Sequence, residues 1–305
     1  MRASAQVCGY GAGLLTLLKE RLHFVYRPGK GIYDGGDDMK KGRVALWLLV
    51  LGVTSIATSA LAFNPAAHIY IAERVFPSCA DKINLRYGSI APDLYQYATA
   101  GKWATGFDDT HYDYVDLRSC AWGTAQKCFA LGWWSHNEDF AADSYAHKWY
   151  VYDKAQELSV LLQQANIDFM HFAIETAIDV LLKQDDHSLA NKLVEANLLR
   201  SPLDKELLTR VLVYRYHRTD WATLASAELA FRGLVGRYAT ALALPNPLDK
   251  LALAALGVQL AQQMYGISST EAEVLAVLEA AITLCREDYK EAIDYAIDCI
   301  RHSLP

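Results

Sequence analysis

From residue 64 onward, apolar residues recur at three- and four-residue intervals, and no stretch alternates apolar with polar positions, so the pattern predicts helices throughout. An all-α domain is expected. Asn64 stands as a candidate N-cap with Pro65 at the first helical position, and that helix runs through His68, Ile69, Ala72 and Val75 until Pro77 stops it. Gly88 to Ala100 reads as a short helix containing Pro92, and the polar connection GKWATGFDDT then leads to His111. Two long helices are expected over approximately 129–152 and 154–184. Residues 185–305 form a series of amphipathic segments rich in Ala and Leu, with Ser201-Pro202 repeating the cap-and-proline signal and Thr270 with Glu273 offering a capping box. There is no repeat period and no Pro/Ser/Gly-rich linker, so 63–305 reads as one helical domain.

The first 62 residues follow a different pattern. Met39-Lys-Lys-Gly-Arg43 is a positively charged start before the apolar run VALWLLVLGVTSIATSALA, which ends in the small-residue site Ala60-Leu61-Ala62. The run is long enough to span a bilayer as an uncleaved anchor, but its polar second half, Thr54 to Ser59, favours cleavage. Residues 39–62 are therefore expected to be a signal peptide cut near Ala62, with residues 1–38 an upstream extension from too early a start codon. Gly35-Gly36-Asp37-Asp38 can be encoded by a purine-rich run like a ribosome-binding site. The expected location is secreted or periplasmic.

Residues 1–62 hold 8 of the 29 Lys and Arg and 4 of the 35 Asp and Glu, which leaves 21 against 31 and a formal charge of −10. That balance argues against phosphate-backbone binding through basic patches. Five cysteines remain, without a CxxC pair, which excludes a thiolate zinc site. Cys120 with Cys128, closing the loop AWGTAQK, is the first candidate bridge and Cys285 with Cys299 the second; buried free thiols are the competing reading for each.

Candidate chemistry concentrates in WWSHNEDFAADSYAH, residues 133–147. On a continuous helix His136, Asp139, Asp143 and His147 stand at i, i+3, i+7 and i+11 and share one face, with Trp134, Phe140 and Ala141 or Ala142 opposite. A solvated polar face is the bland alternative. His171 and Glu175 of HFAIE, at i and i+4, can chelate one ion from a single helix, although such a pair alone more often decorates a surface. With His68 and His111, five of the nine histidines fall between residues 63 and 175, each with an acid nearby. Imidazole mixed with carboxylate suits zinc in a bundle core.

FNPAAH, YGSIAPD, THYDYVD, LGWWSHNEDFAADSYAH and HFAIE, in this order, resemble the zinc-dependent phospholipase C and P1/S1 nuclease superfamily over about Phe63 to Glu175. The resemblance implies a multi-helix bundle of the phospholipase C/P1 nuclease type and three zinc ions. It implies that Asp93, His111, His136 and Asp143 hold one zinc; that His147, His171 and Glu175 hold the second; and that Phe63, His68 and a bridging Asp143 hold the third. Phe63 would act through the α-amine and carbonyl exposed by signal cleavage. The family usually begins with Trp, but backbone donors make Phe acceptable. Asp93 matches the proposed general base of the phospholipases. Compared with the family form HxxxDxxxH, about three extra residues, Asn137-Glu138-Asp139, follow His136. This leaves Asp139 as an alternative ligand to His136, which is preferred on ligand type and the LGWWSH match.

Glu175 at the end of HxxxE resembles the phospholipase branch; the short spacing from Phe63 to His68 resembles the nuclease branch. The implied function is an exported zinc-dependent phospholipase C-like phosphodiesterase acting on phospholipids at a membrane surface. Single-strand nuclease or 3′-nucleotidase activity is the alternative, the only one that makes nucleic acid a partner; a non-catalytic helical zinc-binding protein is the other. The acid and the tyrosine that hold choline in characterised phospholipases are not in place, since Asn64-Pro-Ala-Ala67 has no acid and Leu94 follows Asp93. Tyr95, Tyr97, Trp133 and Trp134 are candidates to line a lipid or base pocket, with core packing the alternative for each. No protein partner is implied.

Overall fold

The computed structural model describes residues 64–99, 101–112, 114–164 and 166–303, without the side chains of 145–148. The leader, its cleavage point and Phe63 therefore lie outside the described residues, as does the His147 side chain. All the described residues belong to one compact unit, which is helical with no strand among them. No described helix is long and apolar enough to cross a membrane.

The N-terminal part comprises α1 (Pro65–Val75), α2 (Lys82–Ile90), a 3₁₀ helix (Ala91–Tyr97), α3 (Gly106–His111), a short 3₁₀ turn (Arg118–Cys120), α4 (Gly123–Trp134), α5 (Ala142–Tyr145), a π-helical stretch (Ala146–Val151), α6 (Tyr152–Leu162) and α7 (Ile167–Asp185). The C-terminal part adds α8 (Leu189–Leu199), α9 (Pro202–Leu208), a π-helical turn (Thr209–Arg215), α10 (Trp221–Ala243), α11 (Leu248–Tyr265), α12 (Glu271–Cys285) and α13 (Tyr289–Ser303). Side-chain caps open many of these helices. Asp81 accepts from the Asn84 N–H, Asn166 from Phe169, Ser201 from Leu203, and Asp220 from Thr223, while Thr270 and Glu273 form the expected capping box.

Helix α1 departs from this grammar. Asn64 occupies the N-cap position, yet its side chain makes no cap hydrogen bond. The N–H groups of Ala66 and Ala67, which Pro65 and Asn64 leave unsatisfied, donate instead to Asp179 of α7. Helix α7 is buried on nearly every side from Phe169 to Leu182, which marks it as the central helix, with α1, α6, α11 and α12 packed around it.

Four expectations need correction. The helix expected over 129–152 ends at Trp134, because Ser135 Oγ donates to the Gly132 carbonyl at 2.6 Å and Asn137 Oδ1 accepts from the Asp139 N–H at 2.7 Å. Such local side-chain bonds compete with helix propagation. Residues 136–141 form a loop that returns on itself, with the Ala142 N–H on Ser135 O and the Asp143 N–H on His136 O. The helix expected over 154–184 is likewise two, α6 ending at Gln163 in a left-handed conformation (φ 54°). Pro92 lies in a 3₁₀ helix following α2 rather than inside an α-helix over 88–100.

The fourth correction is the disulfide. Cys79 bonds Cys128, with Cα atoms 6.0 Å apart, while Cys120, Cys285 and Cys299 are free thiols. Helix α4 turns Cys128 toward the start of α2, and Cys120 lies at the end of the 3₁₀ turn with Arg215 Nη1 at 2.7 Å from its sulfur.

The contact between α2 and α4 is the most extensive helix pairing among the described residues. It depends on two glycines from the quoted motifs. A Cβ on Gly88 would lie 2.1 Å from the Phe129 carbonyl oxygen, and one on Gly132 would lie 2.1 Å from that of Leu85. Only glycine admits backbones this close.

Candidate metal centre

Five segments each contribute one buried side chain to a single cluster: His68 of α1, Asp93 of the 3₁₀ helix, His111 at the end of α3, His136 just past α4, and Asp143 of α5. The close α2–α4 contact sets two of these positions, since Asp93 follows α2 and His136 follows α4. Asp143 sits at the centre. Its Oδ1 is 3.2 Å from His68 Nε2, while its Oδ2 is 3.0 Å from His136 Nε2 and 3.5 Å from His111 Nε2. One carboxylate thus faces two sets of imidazoles with different oxygens. Asp93 Oδ1 lies 3.5 Å from His111 Nε2 and 3.8 Å from His136 Nε2, and Gln96 Nε2 donates to it at 3.1 Å.

The hydrogen bonds behind the rings assign the tautomers. His136 Nδ1 is 2.8 Å from the Ser89 carbonyl, in the last turn of α2, where carbonyls lack helical partners. A carbonyl only accepts, so Nδ1 carries the proton. Thr110 Oγ1 donates its single proton to the Gly106 carbonyl at 2.8 Å, so at 2.7 Å from His111 Nδ1 it accepts. Both rings therefore aim Nε2 inward, and those two nitrogens are 3.2 Å apart. Two imidazole lone pairs at that separation repel unless a proton or a cation lies among them. Burial pulls His136 down, but the carboxylates of Asp143 and Asp93 outweigh it and push it up to about 9. Without an ion, a proton fills this role.

Ligand atoms within 4.8 Å of one another form two sets, His68 with Asp93 and His136, and His111 with His136 and Asp143. Buried imidazole and carboxylate groups are thus placed to hold a metal ion. Outer hydrogen bonds that fix a ring and raise its basicity are the usual support of a metal-binding histidine.

The remaining candidates are placed as follows. His171 Nε2 and Glu175 Oε1 are 2.7 Å apart on α7, with Glu175 buried and His171 partly exposed. Asp139 lies on the surface in the loop after α4, so the structure brings His136 into the cluster and leaves Asp139 out. The one-face helical argument for His136 and Asp143 fails; they meet because the loop between them folds back, with Asn137 and Glu138 buried, Asp139 exposed and the Asp143 N–H on the His136 carbonyl. Of the four pocket aromatics, Trp133 and Trp134 are core, Tyr97 packs on Phe231, and only Tyr95 reaches the cluster, edge-on to His111 at 5.3 Å between ring centroids.

Sequence reading missed several supporting groups. Phe107 stacks on His111 at 4.6 Å and leads outward to Tyr112 and the exposed Tyr114. Its place one helical turn before His111 was a readable signal. Thr110 beside His111 and Gln96 three residues after Asp93 were also within reach of local reasoning, whereas the Ser89 carbonyl was not. Comparison of the chain with protein-family models, curated proteins and solved structures gave no match.

Proposed function

We propose that this chain is an exported zinc-dependent phosphodiesterase of the phospholipase C type, belonging to the superfamily its motifs resemble and sharing that group's multi-helix architecture. The observation that carries the reading is the inward-facing pair of Nε2 atoms on His111 and His136, held around an Asp143 carboxylate that serves two sides. Nitrogen and carboxylate oxygen donors without thiolate fit zinc. Asp93, His111, His136 and Asp143 would hold one ion. His68 and Asp143 would contribute to another with Phe63, and His171 and Glu175 to a further one with His147.

Zinc, when bound, lowers the pKa of a water toward about 7 and neutralises phosphoryl oxygens. The chain itself does the rest. Asp93, at the position that the resemblance gives to the general base, would take a proton from the attacking water. Gln96 holds one of its oxygens, leaving the carboxylate oriented. Water attacks phosphorus, the bond from phosphorus to the glycerol oxygen breaks, and the proton held by Asp93 returns to that oxygen. The products are diacylglycerol and a phosphorylated headgroup.

The run of neighbouring rings Phe107, Tyr112 and Tyr114, in edge-on and tilted contact and with Phe107 and Tyr114 exposed, favours a second reading, because such rings can stack bases of single strands. The test is to export the full chain in a bacterial host, read the first residue of the recovered protein by mass, count zinc, and assay phosphatidylcholine against single-stranded nucleic acid. Lipid turnover lost in Asp93→Asn is the expected result. Turnover of nucleic acid alone would establish the second reading, and a well-folded protein with no zinc would overturn both.

A further inference from the structure

Residues 205–218 run against the charge of the chain. They hold Lys205, Arg210, Arg215 and Arg218 against Glu206 alone, in a sequence whose formal net charge is −6. In α9 and the π-helical turn after it, Leu207, Leu208, Val211 and Leu212 are buried, which turns Glu206, Arg210 and Tyr214 to the other side. These three line a groove of about 490 Å³ together with Pro202, Lys205 and Trp221. Glu206 pairs with Arg210 at 3.5 Å, and the surplus of the segment stays positive. Large rings stand out at the groove and beside it: Trp122 is 69% exposed, Tyr214 66% and Trp221 55%.

Each indole has a cation against it. Arg210 Cζ lies 4.2 Å from the centre of the Trp122 ring, and Lys205 Nζ lies 5.4 Å from that of Trp221. Buried Gln126 fixes this arrangement from beneath. Its Oε1 accepts from the Trp122 backbone N–H at 2.9 Å and from Arg210 Nη2 at 3.1 Å, and its Nε2 donates to the Leu203 carbonyl at 2.9 Å. The surface is therefore assembled by one buried amide and is not a scatter of loose side chains. Aromatic rings with cations at their shoulders suit the boundary between water and a bilayer, where indole and phenol settle at headgroup level and ammonium or guanidinium groups meet lipid phosphates. Base stacking suits them less, since one face of each indole is already taken by a cation.

We infer that Trp122, Lys205, Arg210, Tyr214 and Trp221 form a docking surface for an anionic phospholipid bilayer. Arg218, four residues past Tyr214, meets Asp109 at 3.2 Å, and Asp109 precedes His111 by two residues on α3. The segment that carries Tyr214 thus touches the helix that carries His111. The surface uses no residue of the metal cluster, and binding to it does not rest on the proposed hydrolysis.

The test uses the full chain exported with its leader, in EDTA so that no lipid is turned over, and reads cosedimentation with vesicles. Wild type is expected to bind equal mixtures of phosphatidylglycerol and phosphatidylcholine about 10-fold more tightly than phosphatidylcholine alone. Salt at about 1 M, which shortens the screening length to about 3 Å, should remove that preference. Trp122→Ala combined with Trp221→Ala should weaken binding to the anionic vesicles by about 10-fold or more, and Lys205→Gln alone by about 5-fold, the share of one cation. Tyr214→Ser gives a milder loss and decides the matter if the double variant does not fold. Wild type that ignores lipid charge, or variants that all bind as wild type does, overturn the surface; comparison within one exported background removes any contribution of the leader. A dimer that the two Trp changes dissociate, or single-stranded DNA bound in place of vesicles, assigns the groove to that occupant and overturns the bilayer. Hydrolysis of dispersed short-chain phosphatidylcholine with zinc present tests the proposed function separately: the Trp changes should leave it unaltered, and its absence from wild type would sink that function while leaving the surface standing.

Discussion

Helix α2 separates two buried polar clusters that look alike in composition and differ in what fills them. On one side stand Asp93, Asp143 and three imidazoles. On the other, Glu228 of α10 meets Arg200 in a charge pair with the Tyr87 hydroxyl at 3.5 Å and Lys205 Nζ at 3.8 Å, and the Arg200 guanidinium lies over the Tyr87 ring. The second cluster carries its own permanent cations. The first presents imidazoles, and Ser89 and Thr110 turn the Nε2 atoms of two of them, His136 and His111, toward its carboxylates. A buried acid beside Arg is closed; a buried acid beside oriented His is open to a ligand.

The largest expected contrast comes from removing the central acid of each cluster. Asp143→Asn replaces one carboxylate oxygen by a nitrogen that cannot serve as a ligand and removes the charge that both sides share, so zinc affinity should fall by more than the about 100-fold that loss of an outer partner brings, and hydrolysis should disappear with it. Calorimetry with zinc chloride and the lipid assay check this. Glu228→Gln leaves the buried Arg200 charge without its partner, which costs about 3–5 kcal/mol of stability in urea unfolding, while zinc stoichiometry stays as in wild type. Loss of zinc from Glu228→Gln, or retention of full affinity in Asp143→Asn, would erase the distinction.

A smaller change tests the orientation argument itself. Thr110→Val keeps shape but removes the acceptor for His111 Nδ1–H, which should weaken zinc about 10- to 100-fold without altering the fold. Thr110→Ser, which retains the hydroxyl, should restore most of it. Equal affinities for the valine and serine variants would show that the ring needs no such support.

The two clusters were not equally legible in the sequence. His68, Asp93, His111 and Asp143 stand in short motifs whose residue types declare ligand chemistry, and the Pro, Asn and Ser signals marked several helix starts. The stretch around His136 misled because its apolar spacing imitates a continuous helix. The break depends on Ser135 and Asn137 bonding their own backbone, a competition that periodicity does not register. The Cys79–Cys128 bond was hidden by the nearness of Cys120, since proximity along the chain says nothing of which way α4 turns a side chain. Asp179 did leave a trace, standing four residues after Glu175 and eight after His171 on one face of α7. Nothing local announced its role in capping α1, because the donors lie more than a hundred residues away. The Glu228 cluster had no motif and depends entirely on how α2, α8, α9 and α10 pack.

The smallest effect belongs to an acid at the edge of that closed cluster. Asp204, in the first turn of α9, is fully buried, and its carboxylate accepts no hydrogen bond among the described residues. Burial raises it most; the Arg200 charge opposes that, and Asp81 and Glu228 add to it, so the group is pushed up to about 8 from 3.8. The folded state therefore keeps a proton that the unfolded chain releases above pH 4. Between about pH 4 and 8 the folded state binds more protons, so this group's contribution makes stability fall as pH rises. Asp204→Asn copies the protonated form and lacks that slope. At pH 8.5 the variant should be about 1–2 kcal/mol more stable than wild type, the scale of relieving a buried unsatisfied polar group, and the two should converge as the pH falls to about 4. Urea unfolding at both values checks this, and a variant less stable than wild type at pH 8.5 would mean that the carboxylate is balanced by the Arg200 charge after all.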